Sequence, residues 1–171
     1  MQRNDDTSGF TQPWTNFMAG FGDPAAATGN FWFGNECLHR LTQTGRYKIH
    51  LDLQALSAGT GYWAEYSTFH VDNESIQYTV HISGYNGAAG DSAVGDGVHE
   101  TNGMKFTTTY RDNDLWAAGN CANHKGGGCW YYACGWVSIN GAGPGSAPGF
   151  LWDTPTRHLS LNFSHVVLIC H

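Results

Sequence analysis

The stretch Asn102 to Cys134, NGMKFTTTYRDNDLWAAGNCANHKGGGCWYYAC, carries more of the reading than the rest of the chain. It joins a strand-like run, an Asp-x-Asp pair at Asp112 and Asp114, a Gly119-Asn120-Cys121 turn and a cysteine-bounded aromatic loop. Hard cations such as calcium take roughly six to eight oxygen ligands. Asp112 and Asp114 put two carboxylates on one side of an extended turn, and backbone carbonyls of the tight loop that follows can complete such a shell. Taken alone, an Asp-x-Asp pair is more often a solvated turn, so the surrounding sequence must decide.

Of the 171 residues, 13% are charged and 14% aromatic, and 23 are glycine. Ordinary soluble domains carry about 25% charge. Disorder needs high charge and few aromatics, so a packed core is expected, in one large domain or two small ones. Glycine is a poor residue inside helices, which favours a loop-rich, strand-containing domain. A net charge of -6 lacks the basic footprint of a nucleic-acid binder. No apolar run approaches the roughly 20 residues of a membrane helix. The polar opening Met1-Gln2-Arg3-Asn4-Asp5 is not a signal peptide, so the numbering is expected to start after processing or inside a larger chain. Asn73 and Asn162 head N-x-Ser sequons and are candidate glycosylation sites, which adds weak support for secretion. Five cysteines leave at least one outside any intrachain pair, or bonded to another chain.

Along the chain, Trp14, Phe17, Met18 and Phe21 follow helical spacing, and Gly20 and Gly22-Asp23-Pro24 stop the helix. That aromatic face is expected in the core. Residues 36–43 read as a short helix with Leu38 and Leu41 on one side. Tyr47, Ile49, Leu51 and Leu53 alternate with polar residues, predicting a half-buried strand. Residues 62–71 and 76–83 read as further strands, antiparallel because the connections are too short for crossover helices. From Gly84 to Gly149, Gly, Asn, Asp and Ser dominate. The apolar run Leu159–Ile169 is expected to return to the earlier sheet, since a lone terminal strand is unstable. The expected organisation is one domain, with a sheet part (1–83 and 151–171) and a loop-rich part (84–150).

Several long motifs then occur in order. FWFGNE at 31–36, continued by Leu38-His39-Arg40-Leu41-Thr42, is similar to a FWLGNE-x-[IL]-H-x-[IL]-T signature. Residues 63–71, WAEYSTFHV, look like an AEYSxFxV strand; 83–92, SGYNGAAGDS, look like SGYSGTAGDS; NGMKFTT at 102–108 is nearly NGMKFST. The chain thus resembles the fibrinogen C-terminal-like domains of fibrinogen chains, ficolins, tachylectins, tenascins and angiopoietin-like proteins. The resemblance implies an extracellular, secreted α+β domain with a twisted antiparallel sheet, short helices and a loop-rich calcium- and ligand-binding subdomain. The family's N-terminal subdomain is expected to be missing or supplied by sequence outside this chain.

The resemblance also tips the Asp-x-Asp pair toward calcium. It implies Asp112 and Asp114 as ligands, joined by the carbonyls of Trp116 and Ala118, although the loop to Cys121 is one residue longer than the family pattern. It implies a Cys121–Cys134 disulfide, worth about 3 kcal/mol in the chain-entropy model. Cys129 stands where the family has an aromatic. Against this, Cys121, His124, Cys129 and Cys134 form C-x2-H-x4-C-x4-C, close to a zinc knuckle, and zinc and the disulfide exclude one another. Cys37 and Cys170 are a candidate second bridge, or links to another chain.

Many lectin members bind N-acetyl groups beside the small disulfide loop. Aromatic walls are available in Trp130, Tyr131, Tyr132 and Trp136, although packing around the disulfide would explain these rings equally well. The family's pocket Tyr falls at Lys125, its His at Gly135, and its Tyr-Ala pair at Ser146-Ala147, so only Ala147 is kept. Two functions follow. The first is lectin-like recognition of glycans or acetylated ligands in innate defence. The alternative is a non-lectin assembly or receptor-binding module. Either is expected as an oligomer or part of a larger assembly, since weak sites gain from avidity. The motifs H-E-x-x-H, G-x-S-x-G and G-x-x-x-x-G-K-[ST] are absent, and no enzyme is expected.

Overall fold

The computed structural model describes all residues except 6–8, 58–60, 95–98, 143–148 and 171. In chain order the first elements are β1 (Gln2–Asn4), α1 (Trp14–Ala19), β2 (Phe31–Trp32), α2 (Asn35–Thr42), β3 (Tyr47–Ala55), β4 (Gly61–Val71) and β5 (Val80–Gly87). There follow β6 (Phe106–Thr107), α3 (Cys121–Lys125), β7 (Cys129–Trp130), β8 (Val137–Ser138), β9 (Leu151–Thr154) and β10 (Arg157–Cys170). Every strand pair is antiparallel, and with the short helices this is the expected α+β architecture.

Alternation makes the central strand. Ile49, Leu51, Leu53 and Ala55 of β3 are buried, while Asp52 and Gln54 face solvent. Pairing of Leu51 with Ala64 and Ile49 with Tyr66 puts the buried residues of β4 on the same side. The main sheet runs β2-β1-β10-β3-β4-β5. As its apolar character predicts, the last strand rejoins this sheet, between β1 and β3. Arg157–Ser160 pairs with β9, the register breaks between Leu161 and Phe163, and the rest of β10 pairs with β3. That irregularity lets one strand serve both the sheet and the loop-rich half.

The aromatic face of α1 is in the core as expected. Phe17 packs edge-on against Phe21 and Trp32 and tilted against Phe106, with ring centres 5.0–5.7 Å apart. Trp130 completes the cluster, 5.0 Å from Phe106 and 6.0 Å from Trp32. β1 is pinned by polar contacts instead. The buried Gln2 Nε2 donates to Ile139 O (2.9 Å) and Asn140 Oδ1 (3.0 Å), and its Oε1 accepts from Ser164 Oγ (3.2 Å).

The strand expected over 76–83 begins late. Glu74–Ile76 is a 3-10 turn capped by the Asn73 side chain, which accepts from Ser75 N. Gln77 and Tyr78 then take positive φ of 56° and 50°. Tertiary anchoring holds this unusual backbone. The Tyr78 ring packs on Trp14, its hydroxyl donates to Glu36 Oε2 (3.2 Å), and its carbonyl accepts from Trp130 Nε1 (2.7 Å). The boundary expected at 83/84 falls inside β5, and β8 leaves the loop-rich part to pair with β9.

Candidate functional site

The ribbon of β6 and β7 positions the acidic loop. Phe106 pairs with Trp130 and Thr107 with Cys129. Asn113 then holds the loop to this ribbon, its Nδ2 donating to Phe106 O (2.7 Å) and its N to Thr107 Oγ1 (3.1 Å). Anchoring Asn113 leaves its two neighbours facing away. Asp112 Oδ1 accepts from Asp114 N (3.2 Å). Asp114 Oδ1 accepts from Trp116 N (2.9 Å), and its Oδ2 from Cys121 N (2.8 Å). Leu115 N donates to Tyr132 O (2.7 Å), tying the acidic loop to the aromatic loop. Asn120 caps α3 by accepting from Asn123 N (3.0 Å).

Burial pushes the Asp114 carboxyl above the usual carboxylate range, and the Asp112 carboxylate beside it adds to the rise; the Cys121 and Trp116 amides oppose it. The two carboxylates line an open groove with Trp116, Asn120 and Asn123. Two close carboxylates whose repulsion is only partly relieved by amides, with side-chain amides beside them, suit a hard cation. Trp116 O accepts from Gly119 N (3.2 Å), which leaves its second lone pair, and Ala118 is exposed in the same turn.

Cys121 and Cys134 are bonded, with Cα atoms 4.9 Å apart. The zinc-knuckle alternative loses two of its thiolates to that bond. His124 packs against Trp116 instead (5.5 Å). Cys129 is fully buried opposite Thr107, and burial pushes its thiol up to about 12, so it stays unreactive. Cys37 lies partly buried on α2 and Cys170 at the exposed end of β10; the two are not bonded to each other, which corrects the candidate second bridge.

The expected ligand wall is largely in the core. Trp130 and Tyr131 are 4% and 1% exposed. Tyr131 Oη donates to Gly127 O (2.8 Å), and the Trp130 indole donates to Tyr78, so both rings are spent on packing. This corrects their assignment as ligand contacts: pairing of β7 with β6 turns Trp130 inward. Lys125 is 6% exposed, and burial lowers its pKa while the Asp153 charge opposes the fall. Gly135 is half-buried with φ 52°, and Ser146 and Ala147 lie outside the described residues.

Sequence reading missed His99. Its ring stacks on Trp136 at 4.4 Å and 12°, and its carbonyl lies 3.1 Å from where a Cβ on Gly135 would sit. No periodicity marks a histidine in an irregular loop. Of the sequons, Asn73 is exposed on the hairpin tip, whereas Asn162 sits at the break in β10 with its Oδ1 buried and without a hydrogen-bond partner.

Comparison with known proteins agrees with this frame. Residues 1–168 match the family model described as the C-terminal globular domain of fibrinogen beta and gamma chains. Bovine fibrinogen-like protein 1 is 36% identical over 165 residues, covering 90% of this chain and 52% of that protein. The chain therefore spans about half the length of that curated relative. The fibrinogen-like globe domain of human ANGPTL2 superposes with a TM-score of 0.83 at 31% identity, covering 99% of this chain and 78% of that one. A lamprey fibrin D-dimer complexed with the peptide Gly-His-Arg-Pro-amide gives a TM-score of 0.87 at 29% identity, covering 98% and 59%.

Proposed function

The chain belongs to the family of fibrinogen C-terminal globular domains, and on that premise we propose that it is an extracellular, secreted recognition module stabilised by calcium. Asp112 and Asp114 hold the ion, the carbonyls of Trp116 and Ala118 add to its oxygen shell, and water fills the remaining positions. Bound calcium supplies the positive charge that lets two close carboxylates stay ionised. The observation that carries this reading is the open groove in which Asp112 and Asp114 lie together beside Trp116, Asn120 and Asn123. Leu115 and Cys121 link that loop directly to the disulfide loop, so filling the cation site stiffens the surface beside it.

A protein or peptide is the ligand class the geometry supports best, and the module acts in assembly or receptor binding. Lys125, Trp130 and Tyr131 are covered, leaving no aromatic slot built from them for an acetyl group. A fibrin relative is complexed with a peptide. Glycan or acetylated-ligand binding is the second reading, favoured by the stacked His99–Trp136 rings beside Gly135, which give a flat aromatic surface at the rim. In either case the domain is non-enzymatic and works in an oligomer, where avidity raises weak binding.

Display of the domain at high valency on a glycan array and on a panel of extracellular proteins, in millimolar calcium and in chelator, tests both readings. Protein capture lost in chelator is the expected result. Glycan capture lost in chelator would replace the ligand class. Binding that chelator leaves unchanged would refute the calcium premise.

A further inference from the structure

The outer face of the sheet carries a second recess that uses no residue of the acidic loop or the disulfide loop. Ile49, Leu51 and Leu53 of β3 point into the core, so His50, Asp52 and Gln54 point outward. The register puts Trp63 of β4 directly across from Asp52, and Phe163 of β10 across from Gln54. Trp63 is 37% exposed, a large ring left at the surface of a regular strand, and Phe163 is half-buried. Strands β4 and β10 flank β3, about 10 Å apart. Between them Trp63, Phe163, Asp52, Gln54 and Gly61 line a groove of about 310 Å³.

His50 fixes the indole. Its ring lies nearly parallel to that of Trp63, at 14° with centres 5.8 Å apart. In the register His50 stands one step toward Glu65, whereas Gln54 and Gly61 stand one step the other way. His50 therefore backs one face of the indole and leaves the other to the groove. Gly61 keeps that end open, since a Cβ there would meet nothing within 4 Å. The nearby ammonium is engaged elsewhere: Lys48 Nζ donates to Glu65 Oε1 (3.0 Å). Among the described residues Asp52 has imidazoles alone for partners, His50 Nε2 at 3.3 Å and His165 Nδ1 at 3.8 Å, and its side chain is 55% exposed. An unmatched carboxylate beside an open aromatic face is complementary to a cation that carries its charge in a flat group.

We propose that this groove docks an arginine side chain presented by a partner protein. The guanidinium lies flat on the open face of Trp63 with Phe163 as the opposite wall, and its N–H groups donate to the Asp52 carboxylate. Gln54 Oε1 is a further acceptor at the same groove. A planar, delocalised cation meets both demands, whereas a lysine ammonium is a compact point charge that cannot stack. The volume is at the small end of the range for ligand clefts, which suits one side chain on a docked surface. The net charge of -6 favours approach of a basic partner. The recess is built from β3, β4 and β10, with nothing from the loop that holds Asp112 and Asp114, so its occupancy does not require calcium.

The full chain is titrated with acetyl-Gly-Arg-Gly-amide at physiological salt, and indole and backbone N–H resonances are followed by NMR. The Trp63 indole signal, assigned by its loss in Trp63→Leu, is expected to shift and saturate. Asp52→Asn should weaken binding about tenfold, the loss of one charge-assisted hydrogen bond. Trp63→Leu, read at the Gly61 amide, should weaken it about threefold. Both side chains are more than a third exposed, so both variants should fold, which urea midpoints check. The matching lysine and citrulline peptides should bind more weakly, and chelator should leave arginine binding unchanged, which separates this site from the calcium-dependent one. Lysine or citrulline binding as tight as arginine would overturn the proposal, as would affinity unchanged in both variants or lost in chelator. So would methyl glycosides shifting Trp63 where the arginine peptide does not, or a Trp63 shift with protein concentration alone, which would put a second copy on this face.

Discussion

Replacing Asp114 by alanine separates two roles that one side chain performs. Both its oxygens accept backbone amides, from Trp116 at 2.9 Å and Cys121 at 2.8 Å. Hydrogen bonds to a charged acceptor are worth roughly 1.5–3 kcal/mol each. Partial exposure of this carboxylate puts the pair at the low end, so Asp114→Ala should cost about 2–4 kcal/mol even in chelator. Asp112 is exposed and accepts one long bond, so Asp112→Ala should cost roughly 0.5 kcal/mol or less without calcium. Calcium adds a second layer. Extracellular modules bind it with dissociation constants of roughly 0.1–1 mM. At ~10 mM, linkage then gives the native protein about 1.4–2.7 kcal/mol, a gain that both variants should lack. Urea unfolding of the three proteins, in chelator and in calcium, reads all of these values. If Asp114→Ala in chelator is no less stable than Asp112→Ala, the capping argument fails. If calcium stabilises both variants as much as the native chain, the ion does not sit on these carboxylates.

Reducing the Cys121–Cys134 disulfide, which spans 13 residues, should lower unfolding stability by about 3 kcal/mol, measured by denaturant midpoints with and without reductant. Gln2→Ala removes the buried donor of Asn140 Oδ1 and an acceptor of the Ser164 hydroxyl, while the Ile139 carbonyl keeps Asn4 and Ser164; a cost of about 1–3 kcal/mol is expected in the same assay, and a neutral result would show that β1 contributes little. Lys125→Met should raise stability at neutral pH, because burial penalises the charged amine. The folded pKa lies below the unfolded value near ~10.4. Between the two, the unfolded chain holds a proton that the native chain has lost, so stability should rise with pH through that window. The methionine variant should lose that contribution, read as the change in the difference between its urea midpoint and the native chain's, taken in steps up to that pH.

Periodicity made the sheet legible. The alternating residues of 47–53 bury as read, and the apolar tail finds its place between two strands. Long-range anchoring was invisible where it overrode local pattern. Nothing in Gln77-Tyr78 announces left-handed backbone; the ring, hydroxyl and carbonyl of Tyr78 are claimed by Trp14, Glu36 and Trp130, all distant in sequence. The same limit affected the candidate site. Asp112 and Asp114 are two apart in sequence, so an Asp-x-Asp turn was legible as a turn, but its ligand was not. The sequence CWYY does not say which rings point inward. A two-residue ribbon decided that, burying Trp130 and setting the stage for a rim of Trp136 and His99 that arrives from another loop. Asp52 and Trp63 become partners only through the β3–β4 register.

The central position of β10 has a consequence for biosynthesis. Residues 163–170 pair with β3, and Ser164–Val166 also with β1, although more than a hundred residues separate β10 from β3. Until they emerge, β1 lacks its neighbour on that side and β3 carries an open edge, which is an invitation to wrong pairing. Until β10 is made the sheet is unfinished, and closure then depends on contacts of very long sequence separation, which form slowly. A chaperone covering the edge of β3 would act on the most vulnerable intermediate.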